Sequence, residues 1–286
     1  MKLSIITINY NNALGLKKTL DSVVSQICTD FEHIIVDGAS TDESVEIIRT
    51  YSQLPIANRY KITWLSEPDT GIYNAMNKGV RLANGEYTLM LNSGDYLVDE
   101  YVIENILPLL DCTDIIQGNT IEEHSNYKMR NRGYGKSDVD FFDVMKGYFL
   151  HQAAFCRRDL FYKYGLFDES YRIIGDTKFF MTCLGLNNAS FKYIDVDIAN
   201  YDLNGVSADT NEKWLQLRLH ETQRLRNELY SSRLNRFFEE NDKKVRLYNL
   251  LRQHQWIWNI VMLLVRVHNI IYQKDLILPR RSLLKK

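Results

Sequence analysis

Three short apolar runs, each ending in a polar cluster, constrain this chain more than any other feature. They are residues 3–8, 33–37 and 87–91, followed by Asn9-Tyr10, by Asp37 itself and by Asn92-Ser93-Gly94-Asp95. Runs that are apolar without alternation suit central strands of a sheet covered on both faces. Helical patterns lie between them. Leu16, Leu20, Val23, Val24 and Ile27 recur at helical spacing. Ser40-Thr41-Asp42-Glu43 has the form of a capping box ahead of Val45, Ile47 and Ile48. A further strand is expected at Lys61–Leu65, and a helix at Ile72–Ala83 that closes on the C-cap pair Asn84-Gly85. Strands alternating with helices make a parallel sheet with right-handed crossovers. Its carboxyl ends all point one way, so the polar clusters converge on one crevice, where open α/β sheets bind their ligands.

After residue 100 the pattern weakens. Ile115–Gly118 and His151–Phe155 read as strands, Arg158–Tyr164 as a helix and Phe191–Ile198 as a last strand. Residues 122–142, rich in Tyr, Asn, Arg and Gly, predict a mobile loop beside the site. Gly175-Asp176 puts an acid at the start of an apolar helix, and Asp202–Ser207 reads as a turn. Four scattered cysteines, Cys28, Cys112, Cys156 and Cys183, predict reduced thiols in a cytosolic protein. The N-terminus enters a strand pattern at once, with no secretory cleavage signature.

From Asn211 the texture changes to charged helices, which divides the chain into 1–210 and 211–286. The second part carries +9 and the first −10, within a net charge of −1. That asymmetry points to an anionic partner surface for the tail. Trp256–Tyr272 is apolar apart from a stripe through Arg252, Gln255, Asn259, Arg266, Asn269 and Gln273. As a helix it reaches roughly 25 Å, short of the roughly 30 Å of a membrane core. It is expected to lie in the membrane interface, anchored by Trp256 and Trp258, with Arg280, Arg281, Lys285 and Lys286 facing anionic headgroups. Packing on the body or on a second subunit is the alternative.

Ser4–Asn11, Val36–Asp42, the block 66–95 and the acid Asp176, in this order and spacing, resemble the family 2 glycosyltransferases. The likeness is strongest to bacterial enzymes that extend O-antigen, colanic acid or capsular polysaccharide, and it covers residues 1 to about 210. It implies the GT-A fold: an α/β, Rossmann-like, mostly parallel mixed sheet flanked by helices, here with a C-terminal helical extension. It implies an inverting enzyme that moves a hexosyl or N-acetylhexosaminyl group from a nucleotide-diphosphate sugar, with UDP favoured. The acceptor is a hydroxyl of a lipid-linked or growing saccharide, in cell-surface polysaccharide synthesis at the inner face of the cytoplasmic membrane. Nucleic acid is not an expected partner, and the oligomeric state is left open.

The resemblance also assigns residues. Asp95 matches the last acid of the family's DXD-type motif and would hold Mn2+ or Mg2+. This chain departs from the pattern, since Asn92-Ser93-Gly94-Asp95 has one acid where many relatives have two or three. Asp37 would grip the base or ribose, Asn9 and Tyr10 would flank the base, and Glu67 and Asp69 would face the crevice. Asn92 and His151 would contact the donor, and Asp176 would be the general base, although the usual Glu-Asp pair is Gly175-Asp176 here. Asn204–Ser207 is expected to form part of a lid. Two other readings compete. A sugar nucleotidyltransferase would need a Gly-rich phosphate loop after the first strand, where this chain has Asn9-Tyr10-Asn11-Asn12-Ala13. A non-catalytic nucleotide-sugar-binding scaffold on the same fold is the other.

Overall fold

A computed structural model describes residues 1–54, 59–124, 127–145, 147, 149–203, 211–231, 234, 236, 254, 256, 257 and 259–264. The chain divides into two compact units, Met1–Leu225 and Arg226–Lys286. The first contains the whole sheet. The expected lid segment 204–207 and most of Trp256–Tyr272 lie outside the described residues. Among those described, no helix is long and apolar enough to cross a membrane.

Four parallel strands run side by side in the order β3 (Lys61–Ser66), β2 (Phe31–Asp37), β1 (Leu3–Asn9), β4 (Tyr87–Met90). Register pairs Asn9 with Asp37 and Asp37 with Ser66, so these three strands end level. β1 and β2 are buried along their length, as expected for runs that are apolar on both faces. Alternate residues serve the two faces. Ile5 packs in a cluster with Ile103 and Ile106 of α4 (Val102–Ile106). Ile35 packs with Leu16, Leu20, Ile48 and Tyr51 from α1 (Ala13–Val24) and α2 (Ser44–Ser52). Ile6 faces the other way, onto Gly79 of α3 (Ile72–Leu82).

A chain of paired polar groups runs out from the middle of the sheet. Thr7 meets His33 Nε2 at 2.9 Å, His33 Nδ1 meets the Tyr51 hydroxyl at 2.8 Å, and Tyr51 meets Tyr60 at 2.8 Å. Burial pushes the His33 imidazole down to about 3, so it is neutral near pH 7.

The sheet continues beyond β4 through β8 (Ala154–Arg157), β6 (Ile115–Glu123), β9 (Phe191–Tyr201) and β5 (Tyr96–Leu97). β4–β8, β8–β6 and β9–β5 are antiparallel, and β6–β9 is parallel. The remaining described α-helices are α5 (Phe141–Met145), α6 (Asp159–Lys163), α7 (Gly175–Phe180), which runs on into a π-helical turn at Met181–Leu186, and α8 (Glu212–Leu229).

Several expectations change. The loop expected over 122–142 is instead partly a hairpin: β7 (Lys128–Asn131) pairs antiparallel with the end of β6, and α5 follows. Its polarity reflects a solvated edge, where Arg130 donates to Asp197 at 2.5 Å and Glu123 pairs with Lys128. The strand expected at His151–Phe155 begins with a 3₁₀ turn, His151–Ala153, which turns His151 away from the ladder. Ser40 does not cap α2. The helix starts at Ser44, whose N–H is capped by Asp42, because the Ser40 hydroxyl is taken by Asp37. α1 stops at Val24, and Ile27 is exposed while its N–H donates to the Glu100 carbonyl. Gly85 is no left-handed cap: it lies against β1, where a Cβ would stand 2.5 Å from the Ser4 nitrogen.

Candidate active site

A hollow of about 490 Å3 opens at the carboxyl ends of β1 and β4. Asn9 and Tyr10 come from the end of β1, Asp69 from the loop after β3, and Asn92 and Asp95 from the turn after β4. His151 and Asp176 close the far side. The structure thus brings seven of the expected site residues to one hollow. The other two are placed differently. Glu67 forms an ion pair with Lys78 at 2.8 Å and does not line the hollow. Asp37 sits behind the wall.

Asp37 is fully buried and accepts four hydrogen bonds. Asn9 Nδ2 donates at 2.8 Å, the Ser40 hydroxyl at 2.6 Å, the Ser40 N–H at 2.9 Å and the Ser66 hydroxyl at 2.7 Å. Burial pushes its pKa up, and these donors more than offset that, so the carboxyl stays below its ordinary range. One carboxylate thereby ties together the ends of β1, β2 and β3. Gly38 next to it lets two side chains close in: a Cβ would stand 2.5 Å from the Asp69 carboxylate and 3.1 Å from the Tyr10 ring, and both would have to shift. The Tyr10 ring is 65% exposed at the lip, with a face open to a planar ligand.

The turn carrying Asp95 is pinned to α1. The Thr19 hydroxyl donates to the Asp95 carbonyl at 2.6 Å and accepts from the Gly94 N–H at 3.0 Å. Gly94 has φ +109°, which favours glycine. The Asp95 side chain is 4% exposed and accepts the Asp202 N–H at 2.9 Å. Burial pushes its carboxyl up to about 7; the Asp202 N–H pulls the other way without offsetting it.

Asp176 stands at the start of α7, which is anchored by Phe179 stacked on Phe161. Its Oδ2 accepts from His151 Nδ1 at 3.0 Å; its Oδ1 accepts from the Tyr73 hydroxyl at 3.1 Å and the Thr177 N–H at 2.8 Å. Burial pushes the Asp176 carboxyl up, but His151, Thr177 and Tyr73 bring it below its ordinary value. Burial pushes the His151 imidazole down, and the Asp176 hydrogen bond and charge, with Asp95 beyond, carry it above the usual value. The two shifts run in one sense: each partner favours the charged form of the other. Gly175 makes room for this: a Cβ there would stand 2.7 Å from the Tyr73 ring.

A second hollow of about 220 Å3 adjoins the first and shares His151, Ile173, Asp176 and Tyr201 with it. Glu122, Asn131, Gln152 and Arg218 line its other side. A carboxylate between two hollows can take a proton from a group in one as that group attacks a centre held in the other.

Sequence reasoning missed Tyr73, Tyr201, Asp202 and Glu221. Tyr73 looked like any aromatic on an amphipathic helix. Ser40 reads as the head of a capping box and Ser66 as part of a turn-rich loop, yet their hydroxyls help seal Asp37.

The sequence profile described as Glycosyl transferase family 2 matches residues 4–165. A PGL/p-HBAD biosynthesis glycosyltransferase of Mycobacterium tuberculosis is 32% identical over 226 residues, 78% of this chain and 85% of that protein. Among solved structures, S. aureus TarS 1–349 in complex with UDP-GlcNAc superposes with a TM-score of 0.60 at 20% identity, over 84% of this chain and 73% of that one. A mannosyltransferase from Pyrobaculum calidifontis in complex with GDP-Man and Mn2+ gives 0.57 at 19% identity, over 76% and 60%.

Proposed function

The chain belongs to glycosyl transferase family 2, and from that premise we propose that it transfers a sugar, with inversion, from a nucleotide-diphosphate sugar to a hydroxyl of a saccharide acceptor. The observation that carries this reading is Asp176, bound to His151 at 3.0 Å and standing at the junction of two hollows. The larger hollow takes the donor. Tyr10 stacks on the base, Asn9 and Asp69 flank it, and Asp37 acts from behind by holding Asn9 and the strand ends in place. Asn92 and His151 face the diphosphate. The smaller hollow, polar with aromatic walls, takes the acceptor. Its hydroxyl loses its proton to Asp176 as its oxygen attacks the anomeric carbon from the side opposite the nucleotide. Structures of similar fold hold UDP-GlcNAc or GDP-Man, which supports a nucleotide-sugar donor; we favour UDP.

The donor set suits a divalent cation that brings most of its own ligands. Among the described residues no three His, Cys, Asp or Glu side chains cluster as a metal cage. Asp95, however, is buried with its pKa pushed up to about 7, a state that a cation would relieve, and Asp202 lines the same wall. Mg2+ and Mn2+ are commonly held by one or two carboxylates plus substrate phosphates. Asp95 would hold the ion, which would neutralise charge on the departing diphosphate.

The acceptor is proposed to be lipid-linked and the pathway cell-surface polysaccharide or glycolipid assembly. The +9 charge of residues 211–286 supports contact with an anionic membrane face. The test is a panel of sugar nucleotides, with and without Mn2+, scored for nucleoside diphosphate release and for the anomeric configuration of the product. The expected result is one preferred donor and an inverted product. Asp176→Asn is expected to lower kcat about 10²- to 10⁴-fold with donor binding kept. A retained anomeric configuration would sink the mechanism. Nucleotide binding with no transfer to any acceptor would leave the scaffold reading.

A further inference from the structure

Residues 172–174, just before α7, direct three successive backbone N–H groups at one side chain. The Arg172 N–H donates to Glu221 Oε1 at 2.6 Å, and the Ile173 and Ile174 N–H groups donate to Oε2 at 3.0 and 3.2 Å. Glu221 lies on α8 and is 3% exposed. Consecutive N–H groups converging on an anion form a nest. A buried carboxylate requires such donors, and the N–H groups ahead of a short helix require such an acceptor. Each partner therefore fixes the other.

The grip extends along α8. Arg224 donates to the Ser170 hydroxyl at 2.8 Å and places its guanidinium 4.3 Å from the Tyr171 ring centre. From the opposite side the Tyr73 hydroxyl donates to the Ile173 carbonyl at 2.6 Å, and Arg172 Nη1 donates to the Thr70 carbonyl at 2.5 Å. Segment 170–174 is thus held between α3, its preceding loop and α8. Asp176 follows Ile174 by two residues, which leaves little slack between the nest and the carboxylate. We propose that Glu221 is a positioning residue for Asp176, so that α8 is a working part of the active site and not an appended tail. The proposal rests on the reading of Asp176 as the general base. A displacement of about 1 Å at a reacting group can cost about 100-fold in rate.

The test uses the full-length protein, the sugar nucleotide that the wild type turns over in the panel above, and its nucleoside diphosphate. Glu221→Gln keeps the size but replaces one acceptor oxygen by a donor facing an N–H. Assayed well below its own melting temperature, it is expected to lose about 10- to 100-fold in kcat. Its KM for the donor and its affinity for the nucleoside diphosphate are expected to stay unchanged, since Glu221 meets the lining of the donor hollow through the backbone N–H of Ile173, an apolar residue, and not through Tyr10, Asn9 or Asp95. Wild-type kcat in Glu221→Gln would overturn the proposal, and so would a loss confined to donor affinity. Should Glu221→Gln fail to fold, Arg224→Met decides: a smaller loss confined to kcat supports the clamp, and wild-type kcat overturns it. A wild type inert towards every donor overturns the function itself, and the positioning role with it.

Discussion

Asp95 is the residue whose chemistry is most exposed to experiment. Its folded pKa of about 7 lies above the ordinary 3.8, so the neutral carboxyl is the form the fold favours. Stability from this group is fully present below about pH 4 and falls as pH rises towards 7, as the buried charge forms. Asp95→Asn removes the charge at similar size. Without metal, its melting temperature is expected to exceed that of the wild type by an amount that opens between pH 4 and 7 and is constant above, while transfer is lost. Parallel melting curves across that window would remove Asp95 as a buried charge. Binding of Mn2+ with a nucleoside diphosphate is expected to displace the proton, and so to tighten as pH rises to about 7. His151 sets the other side of the site. It lowers the Asp176 pKa, so His151→Gln is expected to move the acidic limb of the kcat/KM profile to higher pH. An unmoved limb would separate the two groups.

At the scale of elements, the contact between α3 and α7 is where a single atom matters most. Gly175→Ala puts a Cβ 2.7 Å from the Tyr73 ring and has to drive that ring from its bonds to Ile173 and Asp176. The expected loss in kcat is about 10-fold or more. It should be non-additive with Tyr73→Phe, measured in a double-mutant cycle, since both act through one hydroxyl. β1, β2 and β4 were legible in the sequence because central parallel strands are apolar on both faces. β7 was not, since an edge strand bathed on both sides reads as loop. The capping box at Ser40 misled for a different reason: local pattern cannot show that Asp37 competes for the same hydroxyl, across the turn that joins β2 to α2. Asp95 stands out by its place after an apolar run, and Asp176 by its place at the head of an apolar helix together with the family resemblance. Tyr73 and Glu221 gave no such signal, because their roles come from contacts 103 and 48 residues apart in the chain, which periodicity does not encode.

For the whole molecule, the change in texture at Asn211 and the division of compact units at Leu225 fall on either side of Glu221 and Arg224. A chain cut after Thr210 loses both residues and is expected to lose transfer. A chain cut after Tyr230 keeps both. It is expected to retain donor binding and to stop co-sedimenting with anionic vesicles, since it lacks the basic stretch from Arg233 onwards. Unchanged sedimentation would place the membrane contact elsewhere.

With Asp95 as the one carboxylate proposed to hold it, the pocket would keep no permanent ion. Each incoming donor would arrive with its ion chelated between the phosphates, and the spent diphosphate would carry it off again. Between turnovers a chelating agent would find nothing to strip. The demand for the ion would then be set outside the protein, by how much of the surrounding nucleotide supply is already complexed.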